Sequence, residues 1–181
     1  MERNVVLIAL FAALIAILGL IPKINLISGV PITAQSLGVM LCGTVLGARR
    51  GALAVLLFLL LVALGLPLLA GGRGGLGLFV SPSAGFLIGF PIAAFVAGFI
   101  VEKLNSVPIT ASAILGAVVG GIIALYIPGT IGMAITLDKS LAEASALALP
   151  FLPGDLIKAG IAGMLTGALA KARPEAVLSR A

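Results

Sequence analysis

Between residues 51 and 69 the chain reads GALAVLLFLLLVALGLPLL, almost unbroken Leu, Val and Ala without a charge. About 20 consecutive apolar residues are what a helix needs to cross the hydrocarbon of a bilayer. In lipid each backbone N–H and C=O must be satisfied within its own segment, so a run like this predicts a membrane helix. Similar runs, bounded by Gly, Pro and charge, occupy about residues 5–21, 31–46, 84–101, 108–127 and 154–170. Only 9% of the 181 residues are charged and 61% are hydrophobic, where a soluble domain carries about 25% charge. The expectation is an all-α membrane protein: a bundle of six transmembrane helices, residues 1–181 forming one integral domain with short loops and a basic C-terminal tail, KARPEAVLSRA. Arg3 ahead of an apolar run is also how a signal peptide begins, but no A-x-A pattern follows. The first run is therefore expected to be a retained helix.

Under that topology Arg3, Arg49, Arg50, Lys103, Lys171, Arg173 and Arg180 lie on one side, and Lys23, Arg73 and Lys139 on the other. The positive-inside rule then predicts both termini in the cytoplasm of a multi-pass protein of the cytoplasmic membrane. The same asymmetry accounts for the formal charge of +5. Nucleic acid is not expected as a partner, because aromatic residues are 5% and no long basic run exists. With no histidine and one cysteine, Cys42, the chain has no disulfide and lacks the residues for zinc or Cys/His chemistry. No G-x-x-x-x-G-K-[ST] occurs, so the chain does not hydrolyse ATP by that route. GRGGLG (Gly72, Gly74, Gly77) matches a dinucleotide fingerprint formally, but hydrophobic spans rather than a βαβ unit flank it. No cofactor is expected, and no enzyme activity. A Ser/Lys hydrolase would need a serine beside Lys158, and none shares its span.

Glycine at 71, 72, 74, 75 and 77 leaves the loop around Arg73 free to turn tightly. Arg73 reads equally as a solvated loop charge or as a lid residue meeting an anionic group. The pentapeptide VPITA occurs at 30–34 and again at 107–111. Pro-x-Thr suits a helix start, and inverted-topology repeats are the bolder reading. Small-xxx-small spacings recur at Gly43/Gly47, Gly85/Gly89, Gly116/Gly120 and Gly163/Gly167, mostly for internal packing. A ladder of Ala9, Ala12, Ala13 and Ala16 on the first helix offers a flat face to another subunit.

The segment LPGDLIKAG is the sharpest feature. At 100° per residue, Asp155, Lys158, Ala159, Ala162 and Thr166 share one helical face, with Ile157, Ile161, Met164 and Leu165 opposite. A charge at the centre of a span costs about 2.5–3.5 kcal/mol on insertion scales. The pair is either an i,i+3 salt bridge that offsets its own cost or a ligand site, and intramembrane charges favour the second reading. A stand-alone secondary transporter, with Asp155 carrying a coupled ion or proton, is the alternative function.

VPITAQ, GARRG, AGGRGGLG, SPSAGFLIG and LPGDLIKAG follow one another in an order that resembles the BioY family, across about residues 9–170. That family comprises the biotin-specific S components of energy-coupling factor transporters. The resemblance implies six transmembrane helices and high-affinity biotin binding from the outside. It also implies partnership with a transmembrane coupling protein and a pair of ATP-binding-cassette ATPases. The alanine-x-x-x-alanine face that meets the coupling protein maps onto Ala9 and Ala13, with Ala12 and Ala16 beside them. Asp155 and Lys158 match the acid and lysine implicated in holding biotin, the acid facing ureido N–H groups and the lysine an acceptor oxygen. Phe79 and Phe86 are candidates for the apolar wall, and Thr33, Gln35 and Arg73 for additional polar partners. Phe86 stands where the family often has tyrosine, and Ala34 where it often has leucine.

Overall fold

Glycine and proline decide how much of each apolar run becomes helix. The computed structural model describes residues 2–180, so of the domain expected over 1–181 Met1 and Ala181 lie outside the described residues. It contains α1 (Glu2–Leu18), α2 (Gln35–Leu46), α3 (Ala48–Ala63), α4 (Ala84–Lys103), α5 (Ile109–Leu137) and α6 (Leu141–Ala172). Among the described residues there is no strand, only the isolated antiparallel bridges Ile24–Ile32 and Leu69–Arg73. The all-α expectation is met.

The helices α4, α5 and α6 are long and apolar enough to cross a membrane. The first three fall short of their apolar runs. α3 stops at Ala63 because Gly65 turns left-handed (φ +101°) and Pro67 follows. The Leu66 N–H reaches the Leu61 carbonyl and the Gly65 N–H the Val62 carbonyl, the paired bonds of a Schellman cap. α2 has 12 residues, about 18 Å of helix against about 30 Å of hydrocarbon. Residues 31–34, expected within this span, lie outside the helix: Ile32 pairs with Ile24 in an isolated bridge, and Ala34 is the cap position. Such backbone is tolerated at membrane depth only where protein or a cavity surrounds it. The second VPITA leads directly into α5, with Pro108 at the cap position. The two copies therefore adopt different conformations.

The polar connection expected at 128–146 is much shorter. α5 runs through Pro128 to Leu137, and α6 begins at Leu141. Pro128 lacks the N–H that would bond the Ala124 carbonyl, and Ala124 closes a π-turn, Val119–Ala124, where the bonding register is already shifted. Asp138, left-handed at φ +51°, ends α5. Ser140 and Glu143 then form a reciprocal capping box, with Ser140 N–H donating to Glu143 Oε2 at 2.9 Å and Glu143 N–H to Ser140 Oγ at 3.3 Å.

α2 is the centre of the bundle, packed on α1, α3, α4 and α6 and buried at every position except Leu37. Glycine makes that approach possible. A Cβ on Gly43 would strike the Ala94 carbonyl, and one on Gly120 the Ala93 carbonyl. Gly85 abuts Pro128 and Gly132 of α5, and Gly163 and Gly167 of α6 abut Ile114 and Thr110. These glycines serve internal packing, as their spacing predicted, whereas Gly47 makes the positive-φ turn (φ +86°) between α2 and α3. The alanine ladder of α1 divides: Ala12 is 3% exposed in the core and Ala16 packs against it, while Ala9 and Ala13 face outward. That corrects the expectation of a four-alanine docking face, because Ala12 already has its neighbours inside the bundle.

Both termini lie at the end of the bundle that carries the GARRG turn. Arg3 donates to the Glu175 carbonyl. Ser179 Oγ donates to the Thr44 carbonyl at 2.6 Å. Arg180 reaches the carbonyls of Leu104, Asn105 and Val107 and Ser112 Oγ. Residues 177–179 are buried, so the end of the basic tail folds back against the bundle while residues 171–175 stay exposed.

Candidate functional site

The opposite end of the bundle holds a recess that is open to the surface. Its walls come from the segment just before α2, the first turns of α2 and α4, the glycine loop, Leu125 of α5 and the middle of α6. Asp155, Lys158, Phe86, Arg73, Gln35 and Thr33 all line it, so six of the residues singled out in the sequence converge. Phe79 does not. It sits half-buried in the Leu76–Val80 turn, and Phe90 and Phe151 form the apolar wall with Phe86 instead. The Phe86 ring meets Phe151 at 5.7 Å and Tyr126 edge-on at 6.1 Å.

The face predicted for LPGDLIKAG is the face that is buried. Asp155 (6% exposed), Ala159, Ala162 and Thr166 turn inward, while Ile157, Met164 and Leu165 are exposed. Asp155 Oδ1 accepts from Lys158 Nζ at 2.9 Å and from Ser36 Oγ at 3.1 Å, and Tyr126 donates to Oδ2 at 2.9 Å. Lys158 also donates to Ser36 Oγ at 2.9 Å. The salt bridge and the pocket are thus one arrangement rather than alternatives. An ammonium has three N–H donors and two are engaged here, which leaves one for the recess. Packing thus puts a serine of α2 beside Lys158 although none shares its span, and the same Lys158 is also paired with Asp155.

Gln35 plays a different part from the one its position suggested. Its Nε2 donates to the Ile15 carbonyl (3.1 Å) and the Leu68 carbonyl (3.0 Å), and its Oε1 accepts from the Ala70 N–H (3.0 Å). Both amide donors are engaged, so Gln35 ties the end of α1 and the glycine loop to α2. Thr33 Oγ1 accepts from the Gln35 N–H at 3.3 Å. Arg73 is held to the loop by Nε donating to the Ala70 carbonyl at 3.2 Å. Partial burial lowers the guanidinium's pKa from its ordinary value, although an arginine stays charged throughout the physiological range.

Ser36, Tyr126 and Ser83 are the polar residues that sequence reading missed. Ser83 is 5% exposed, lines the recess, and its buried Oγ has no hydrogen-bond partner among the described residues. A buried hydroxyl left without a partner costs about 1–3 kcal/mol. Ser83 belongs to SPSAGFLIG, a quoted motif, so its neighbourhood was visible although its role was not.

Comparison with known proteins identifies the family. The model of the BioY family matches residues 2–175. The chain is 56% identical to the "Biotin transporter BioY" of Rhodobacter capsulatus, over 99% of this chain and all of the relative. It is 44% identical to the "Probable biotin transporter BioY" of Bacillus subtilis, over 87% of this chain and 85% of that one. The crystal structure of "the S-component for biotin from an ECF-type ABC transporter" superposes with a TM-score of 0.88 at 32% identity, covering 94% of this chain and 92% of the other. From fold, pocket and relatives together, this chain belongs to the BioY family.

Proposed function

We propose that this chain is the biotin-binding S component of an energy-coupling factor transporter, a transport subunit and not an enzyme. The observation that carries the reading is the polar cluster of Asp155, Lys158, Ser36 and Tyr126 under an aromatic wall in one recess. Biotin pairs an apolar ring and chain with a ureido group and a carboxylate. Lys158's remaining N–H and the Ser83 hydroxyl supply donors, the lone pairs of Asp155 accept from ureido N–H groups, and Phe86, Phe90 and Phe151 cover the ring. Arg73 and Thr33 stand at the same recess for a second polar end. Gln35 supports the site from behind.

The wider reading is a single integral domain of six transmembrane helices in the cytoplasmic membrane, with both termini inside. Its support is that Arg3, Arg49, Arg50, Lys103 and Arg180 gather at the terminal end, while Arg73 lines the opposite recess. The recess then opens outward, where substrate arrives. The outward Ala9–Ala13 face is the proposed contact for a transmembrane coupling protein, itself joined to ATP-binding-cassette ATPases.

Calorimetric titration of the purified protein with biotin tests the site. Asp155→Asn and Lys158→Met are each expected to weaken binding about 10- to 100-fold, the size of a lost charged hydrogen bond. Wild-type affinity in either folded variant would refute the assignment.

A further inference from the structure

A second recess lies at the other end of α4, between its last turns and the start of α3. Arg49, Arg50 and Lys103 line it, with Glu102 as the single acid. Glu102 is already engaged, its Oε1 accepting the Ala48 N–H at 2.8 Å to cap α3. Among the described residues, the ion pair within 4.0 Å is Asp155–Lys158, so none of these three cations has a carboxylate at pairing distance. Arg49 and Arg50 also occupy the first turn of α3, where the helix macrodipole is positive and favours anions. Two cations there oppose the local electrostatics, and an anion seated between them and Lys103 removes the conflict.

The other half of the recess is apolar. Phe95 and Phe99 stack nearly parallel, 6.3 Å apart and 10° from coplanar, and are 42% and 46% exposed. Lys103 Nζ lies 5.5 Å from the centre of the Phe99 ring. Ile92 and Ile88, also exposed, continue this strip down α4 away from the cations. A free phosphate would engage the cations alone and leave the strip bare. A molecule with an anionic head and a hydrocarbon tail engages both, and basic recesses at the membrane interface are suited to such heads. We infer that this recess holds one anionic phospholipid, its phosphodiester between Arg49, Arg50 and Lys103 and an acyl chain along Phe99 and Phe95. This inference needs only residence in the membrane and is independent of what the Asp155 recess binds.

Native mass spectrometry of the whole chain in detergent, supplied with equal amounts of phosphatidylglycerol and phosphatidylcholine, tests it. The expected result is one retained phosphatidylglycerol, at least about fivefold over phosphatidylcholine, with the preference lost in Arg49→Gln/Arg50→Gln. Phe95→Ala/Phe99→Ala should lower retention of either lipid while keeping the preference for the anion. Soluble glycerophosphate at millimolar concentration should displace neither lipid. Equal retention of the two lipids, an unchanged ratio in the arginine variant, or displacement by glycerophosphate would each overturn the inference. Biotin titration of the arginine variant controls for folding, because the Asp155 recess is at the far end of α4.

Discussion

Asp155 accepts three hydrogen bonds from three different helices, and this sets how the site responds to single changes. Tyr126 supplies one of them while its ring braces Phe86. Tyr126→Phe keeps the brace and removes the hydroxyl, so biotin affinity should fall about 2- to 12-fold, the value of one ordinary hydrogen bond of about 0.5–1.5 kcal/mol. Titration that found no change would mean Tyr126 only fills space. The acid and the lysine were legible because both lie on one helical face, and a 100° step is enough to predict it. Ser36 and Tyr126 were not, since they stand 119 and 29 residues from Asp155 and packing alone brings them together. Phe79 was misread for a related reason. Aromatic residues near a loop look alike in sequence, and this one packs half-buried against the core in the Leu76–Val80 turn without lining the recess.

At the scale of helices, glycine spacing carried much of the architecture. Gly43 and Gly160 provide a matched test of that statement. A methyl on Gly43 meets the Ala94 carbonyl and the Ala97 side chain, whereas one on Gly160 meets nothing within 4 Å. Gly43→Ala should destabilise by about 1–3 kcal/mol through overpacking, and Gly160→Ala should be neutral or stabilising by up to about 1 kcal/mol through helix propensity. Thermal unfolding in detergent, followed by circular dichroism, separates the two, and equal shifts would contradict the packing described. The long helices were readable from apolar length, but their ends were not. Pro128 looked like a stop, yet the π-turn before it absorbs the missing bond. The Ser140–Glu143 capping box was present in the sequence as S-x-x-E, and would have put the start of α6 near Leu141.

For the molecule as a whole, the proposed binding and coupling sites occupy different surfaces. The recess opens at one end, while Ala9 and Ala13 face outward on α1 with Val6, Leu10 and Ile17 exposed around them. Ala9→Leu/Ala13→Leu should leave biotin titration unchanged and abolish ATP-dependent uptake in vesicles containing the full transporter. Loss of binding would instead mean that this face packs internally. Uptake by the isolated chain, driven by a proton gradient, would remove the need for an ATPase partner. The folded-back tail has a bearing on biosynthesis. Leu104, Asn105 and Val107 have their carbonyls satisfied by Arg180, and Thr44 its carbonyl by Ser179. These acceptors leave the ribosome long before their donors do. That end of the bundle therefore stays open until Ser179 and Arg180 have been made, and these two residues close it.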